Sequence, residues 1–111
     1  MSSKEFHDYV MEDVFANIGG VVSKKMFSGY GIYLHGVIFG LIIDDELYFK
    51  VGENNINDYK KLNAHPFTYH NKKGKEIVMP YWTLPPEVIE DKERLKAWMT
   101  AAVEVSQKHT K

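Results

Sequence analysis

The sequence contains no cysteine, which excludes a disulfide framework, zinc held by thiolates, and any nucleophilic or redox thiol. Arginine is almost missing too. Arg94 stands alone, a poor supply of the forked donor favoured for phosphate and guanine. Neither sign of charge is in excess: 14 Lys+Arg against 15 Asp+Glu leave a formal charge of −1, so no global field draws the chain to nucleic acid or anionic lipid. Nowhere do about 18 apolar residues run together, and the acidic stretch from Met1 to Asp13 holds no apolar segment of signal-peptide length. A cytoplasmic protein that does not span a membrane is expected. Repeats, low-complexity tracts and linkers are absent, and 111 residues fit one domain of about 13 Å radius of gyration. That single domain is expected over 1–111, with 108–111 a loose tail.

What is present is apolar and aromatic: 44% hydrophobic residues, 14% of the chain being Phe, Trp or Tyr. Ser2 and Glu5 have the spacing of a capping box. Phe6, Val10 and Val14, widened by Met11, Phe15 and Ile18, then form the stripe of an amphipathic helix over 3–18, which Gly19-Gly20 ends. From Val21 to Val51 β-branched and aromatic residues crowd together between turn signals at His35-Gly36 and Asp44-Asp45. Strands are predicted over 22–27, 29–34, 37–43 and 46–51, the first two being separate or one bent strand, in an antiparallel meander whose connections are too short for parallel crossovers. A short helix from Asn54 or Asn55 to Leu62 follows. Strands over 66–70 and 76–81 flank the loop Asn71 to Lys75, Pro80 restricting the second. A helical turn over 87–90 precedes a last helix capped by Asp91, with Leu95, Trp98, Ala102 and Val105 on one face. The order α, three or four β, α, two β, α implies an α+β two-layer sandwich, an antiparallel sheet with helices on one side.

Two-residue hairpins at both turns would pair Leu34 with Val37, Ile32 with Phe39, Gly31 with Gly40, and Gly40 with Phe49. Phe49 would then lie over two glycines. This register sends Tyr33, Ile38, Ile42, Leu47, Phe49 and Val51 to one face and Tyr30, Ile32, Phe39, Leu41, Tyr48 and Lys50 to the other. Both faces are largely apolar, and one layer of helices covers one of them. The second must meet more of the chain, another subunit or a partner, which makes Tyr30, Ile32, Phe39, Leu41 and Tyr48 the candidate partner interface.

Chemistry is sparse. The five histidines, His7, His35, His65, His70 and His109, include no i, i+4 pair, so no metal site is expected. Gly29-Tyr30-Gly31 lacks the third glycine of a dinucleotide fingerprint, Leu34 standing there. Ser23, Ser28 and Ser106 sit in no nucleophile elbow. No catalytic residue, enzymatic activity or cofactor is expected. Lys72, Lys73 and Lys75 on one hairpin, near Tyr69 and Tyr81, would suit phosphates beside stacking aromatics; solvated turn lysines explain them more simply, so direct nucleic-acid contact is not expected. Trp82 and Trp98 read as packing residues.

The segments Met26-Phe27-Ser28-Gly29-Tyr30-Gly31-Ile32-Tyr33, Phe39-Gly40-Leu41-Ile42, Asp45 to Val51, Pro66-Phe67-Thr68-Tyr69, Met79 to Val88 and Leu95-Lys96-Ala97-Trp98 together resemble, in order and spacing, the N-terminal domain of the TfoX/Sxy competence regulators. The resemblance implies a fold similar to the type III secretion chaperones and a bacterial cytoplasmic regulator. Full-length members add a helical C-terminal domain and activate DNA-uptake genes through a partner transcription factor, not through an enzymatic step; this chain matches the first domain alone. A non-catalytic protein-interaction domain in transcriptional regulation is therefore expected, working through a protein partner or as a homodimer. The alternatives are a nucleic-acid accessory module using the 72–75 lysines, or a small-ligand domain with a cleft near Tyr33, Phe49 and Trp82.

Overall fold

The computed structural model describes residues 3–26 and 28–109. Six antiparallel strands form one sheet in the order β1-β2-β3-β4-β6-β5: β1 Val21–Met26, β2 Gly29–Leu34, β3 Val37–Ile43, β4 Glu46–Lys50, β5 Pro66–His70 and β6 Glu76–Thr83. The helices are α1 Ser3–Tyr9, α2 Ile56–Lys61, α3 Pro86–Ile89 and α4 Lys92–His109. The α+β class and the antiparallel sheet agree with the sequence reading, and the meander resolves into four strands. The Ser2 half of the expected capping box, Phe27 at the end of the expected first strand, and Thr110 and Lys111 of the expected tail lie outside the described residues. α4 itself runs on through Lys108.

Both hairpin turns have two residues, because His35 (φ 49°) with Gly36 (φ 83°), and Asp44 (φ 50°) with Asp45 (φ 61°), take the left-handed backbone of a tight primed turn. Leu34 pairs with Val37 and Ile43 with Glu46, as such turns demand. The first helix departs from expectation. It is α-helical only to Tyr9 and continues as one π-helical turn, Val10–Val14, in which Phe15 N–H donates to the Val10 carbonyl at 3.0 Å. That i to i+5 bond aligns residues five apart. Val10 and Phe15 consequently both enter the core, where Phe15 meets Phe39 edge-on at 5.9 Å and Phe49 at 6.3 Å.

Asp91 caps α4 as its sequence position predicts, its Oδ1 accepting from the N–H groups of Glu93 (3.1 Å) and Arg94 (3.2 Å). The apolar stripe of α4, Leu95, Met99, Ala102 and Val103, packs on Ile42, Leu47 and Phe49 of the sheet. Trp98 closes on Tyr59 of α2 with ring centroids 4.5 Å apart, and Trp82 also packs at the edge of this core. Asn55 precedes α2 but makes no side-chain cap; its Oδ1 accepts from Gly52 N–H at 2.7 Å and its Nδ2 donates to the Lys50 carbonyl at 3.1 Å, tying the β4–α2 loop shut. Pro80 lies where β6 parts from β4: only Tyr81 to Thr83 pair with β4, and the Pro80 carbonyl accepts from Val51 N–H. This reconciles a proline with an interior strand.

Tyr59 is buried, and burial pushes its phenol far above the ordinary 10.0. Tyr48 and Tyr81 shift the same way, chiefly by burial. A raised folded-state pKa gives stability that is whole below pH 10 and is lost as pH climbs beyond it. Urea denaturation at pH 8, 10 and 11 should therefore show stability falling above pH 10, and Tyr59→Phe should remove about 1.4 kcal/mol per pH unit of that slope. An unchanged slope in the variant means Tyr59 is not enclosed.

Candidate functional site: the uncovered face of the sheet

One register shift decides what each face of the sheet carries. Tyr33 pairs with Ile38, but Ile32 pairs with Gly40 and Gly31 with Leu41, so β3 holds one extra residue at Phe39-Gly40. β4 and the outer half of β3 keep their expected faces: Gly40 still pairs with Phe49 and Ile42 with Leu47. β2 and the inner half of β3 exchange theirs. Ile32 and Phe39 are fully buried in the helix-covered core, and Tyr30 packs against it; these three expected interface residues belong to the covered face. Tyr33 and Ile38 move to the open face in return. Phe49 lies over Gly40 alone, since Gly31 faces Met26, Tyr33 and Ile38 on the other side.

Leu41 and Tyr48 are on the open face as expected, and Tyr81 of β6 joins them. The three are 6%, 7% and 6% exposed, closed in laterally by Ile38, Ile43, Phe67 and Met79. Phe67 reaches across from β5 to meet the Tyr48 ring at 5.5 Å. Among the described residues no helical side chain enters this cluster. Its rim includes Met26 and Tyr69, both exposed. Two ammonium groups border it: Lys24 lies 5.0 Å from the Tyr33 ring and Lys50 4.9 Å from the Tyr81 ring. Desolvation lowers the Lys50 pKa, while burial and then the charges of Glu46 and Asp44 raise that of Tyr48. The face is thus apolar at its centre, cationic toward the end of β4 and anionic toward its start.

The remaining candidates are scattered. Lys72, Lys73 and Lys75 are exposed on the β5–β6 loop, whose shape comes from Asn71: its Oδ1 accepts from the N–H groups of Lys73 and Lys75 at 2.9 and 3.0 Å. Tyr81 lies on the buried open-face cluster, away from that loop tip. Tyr33 is on the open face while Phe49 and Trp82 are on the covered one, so the three do not form the cleft expected for a small ligand. Depressions lie elsewhere, among them about 310 Å³ between Gly52 to Asn54 and the end of α4, about 250 Å³ between Val14, Ile18 and the start of α4, and about 190 Å³ beside Tyr59 and Trp98. No metal-holding cluster of His, Asp or Glu occurs among the described residues.

A hydrogen-bonded array escaped sequence reasoning. His7 Nδ1 donates to Asp8 Oδ1 (3.0 Å), which leaves Nε2 of a neutral ring to accept the Ser23 hydroxyl (2.7 Å). Serine, imidazole and carboxylate follow one another as in nucleophilic hydrolases, yet none of them borders the cavities above, and His7 stacks on Tyr30 at 4.0 Å. The array joins α1 to the edge strand β1. His7 and Ser23 lie 16 positions apart in the chain, and no local pattern announces such a contact.

Comparison with known proteins decides the family. The sequence pattern of the TfoX N-terminal domain matches residues 13–106. The chain belongs to the TfoX N-terminal domain family. That family is tied to competence regulation and is not known for catalysis. The chain is also 25% identical over 77 residues to a Dictyostelium discoideum protein named Terpene synthase 4, a match covering 68% of this chain and 23% of that protein. It spans about a quarter of that relative's length, so the relative's name transfers no chemistry. No helix among the described residues is long and apolar enough to cross a membrane. Every strand and α4 fall almost wholly within the matched TfoX N-terminal region.

Proposed function

We propose that this TfoX N-terminal domain is a non-catalytic protein-interaction domain that contributes to transcriptional regulation by docking a protein partner on the open face of its sheet. The observation that carries the reading is the apolar margin of half-buried Ile38 and Met79 and exposed Met26 and Tyr69, seated around the closed Leu41, Tyr48 and Tyr81 cluster on the sheet face that no described helix covers. Family membership supports the regulatory side of the proposal, and helices gathered over one face support the kinship with secretion-chaperone-like folds that the family resemblance implies. The bacterial cytoplasm is the compartment in which such a regulator works.

The test compares three strains: wild type, a deletion, and one whose chromosomal copy carries Ile38→Thr with Met79→Lys. Both substitutions fall on half-buried side chains of the open face. The variant should accumulate to normal levels with a native circular dichroism spectrum and reproduce the transcript changes of the deletion. A wild-type transcript profile from the folded variant, or a deletion that alters no transcript, defeats the proposal.

A further inference from the structure

We infer that the occupant of the open face is a second copy of this chain, packed sheet to sheet about a two-fold axis at Tyr48, with Lys50 of each copy against Glu46 of the other. This rests on the reading of the open face as a docking surface, and what selects a second copy is the order of charges along β4. Its outward positions are Glu46, Tyr48 and Lys50, the alternate residues to the inward Leu47 and Phe49. Glu46 and Lys50 stand about 7 Å to either side of Tyr48 at the usual strand rise. A two-fold axis lying in the interface and crossing β4 at Tyr48 reverses the partner's strand. It therefore sets each lysine over the other copy's glutamate, twice in one operation.

Neither charge is neutralised by an opposite charge among the described residues. Neither Glu46 nor Lys50 forms an ion pair there; Lys50 rests on the Tyr81 ring, and Glu46 is exposed. Asp44 at the adjoining turn extends the anionic end. A surface made for an unrelated acidic or basic partner would carry one sign. This one carries both, equidistant from an aromatic centre, which is the requirement for a face that complements itself. Packed sheets lie about 10 Å apart, a gap that a lysine and a glutamate reaching from opposite sides can close.

Sedimentation equilibrium of the intact 111-residue chain should give twice the 12.9 kDa protomer mass. Lys50→Glu and Glu46→Lys, each placing like charges at both symmetric contacts, should each weaken the dimer about ten-fold or more, and the double variant, with the charges exchanged, should return to within about three-fold of wild type. Raised salt should weaken the wild type and the exchanged double alike. A monomer at every concentration overturns the inference, and so does a dimer indifferent to the single changes or not rescued by the exchange. Circular dichroism on each variant separates loss of association from loss of fold. A strictly monomeric protein whose Ile38→Thr, Met79→Lys form still mimics the deletion strain overturns the second copy and leaves the docking face standing, occupied by a different protein.

Discussion

A Gly29→Ala variant is expected to lose about 3 kcal/mol of stability and about 12 °C in Tm. Gly29 opens β2 opposite Ile43. A Cβ there would collide with the Ile42 carbonyl oxygen and sit 3.0 Å from its carbon and 3.3 Å from Ile43 Cα. Every atom it meets is backbone, so no rotamer change relieves the clash, and β2 must separate from β3 at the start of their ladder. Two other glycines calibrate the result. Gly36 has φ +83° but open space around its missing Cβ, so Gly36→Ala should cost about 1 kcal/mol through backbone strain alone. Gly19 has neither a positive φ nor a neighbour within 4 Å, and Gly19→Ala should fall within about 0.5 kcal/mol of wild type. Thermal and urea unfolding of the three variants checks the order. If Gly29→Ala behaves like Gly19→Ala, the close approach of β2 to β3 is wrong.

The sequence makes legible those features whose cause is local. Tight primed turns at His35-Gly36 and Asp44-Asp45 need only their own backbone, the Asp91 cap only the next three residues, and the α4 stripe only a 3.6-residue period. What failed was phase. The π-helical turn after Tyr9 and the bulge at Phe39-Gly40 each insert one residue into an otherwise regular period. Neither carries a local signal, because both are chosen by Phe15 and Phe39 reaching a common pocket beside Phe49. A helix or strand that kept strict period would leave one of these rings outside. An error of one in β3 reverses every face assignment on its far side. This is why Tyr30, Ile32 and Phe39 looked like interface while Tyr33 and Ile38 looked like core. Leu41 and Tyr48 kept their places because the β3–β4 hairpin is anchored at its own turn, beyond the bulge. Two apolar surfaces follow from composition, while the assignment of residues to them follows from tertiary packing, which closes the centre of the second with Ile38, Ile43, Phe67 and Met79 of the same chain.

The bulge yields the sharpest contrast between neighbouring residues. Phe39→Ala should destabilise the protein by about 4 kcal/mol, because it deletes a fully buried ring and leaves a cavity between Phe15, at 5.9 Å, and Phe49, at 5.4 Å. Both contacts are edge-to-face, a geometry that adds to the area term. Those neighbours belong to different parts of the chain, the residue that closes the π-helical turn and β4, so collapse to refill the space would require moving both. Ile38→Ala, one residue earlier, removes a half-buried side chain at the margin of the open cluster and should cost only about 1 kcal/mol. A strand in strict register would place Phe39 on the open face and Ile38 on the covered one, and the two costs would change places. Chemical denaturation of the single variants, read as midpoint shifts at constant m-value, decides between these registers. The same pair tests the proposed docking face, since Ile38 is half-buried on the open side of the sheet and Phe39 is fully buried. Association should respond to Ile38→Ala at concentrations where the fold is intact, whereas any effect of Phe39→Ala on association should appear only alongside loss of the fold.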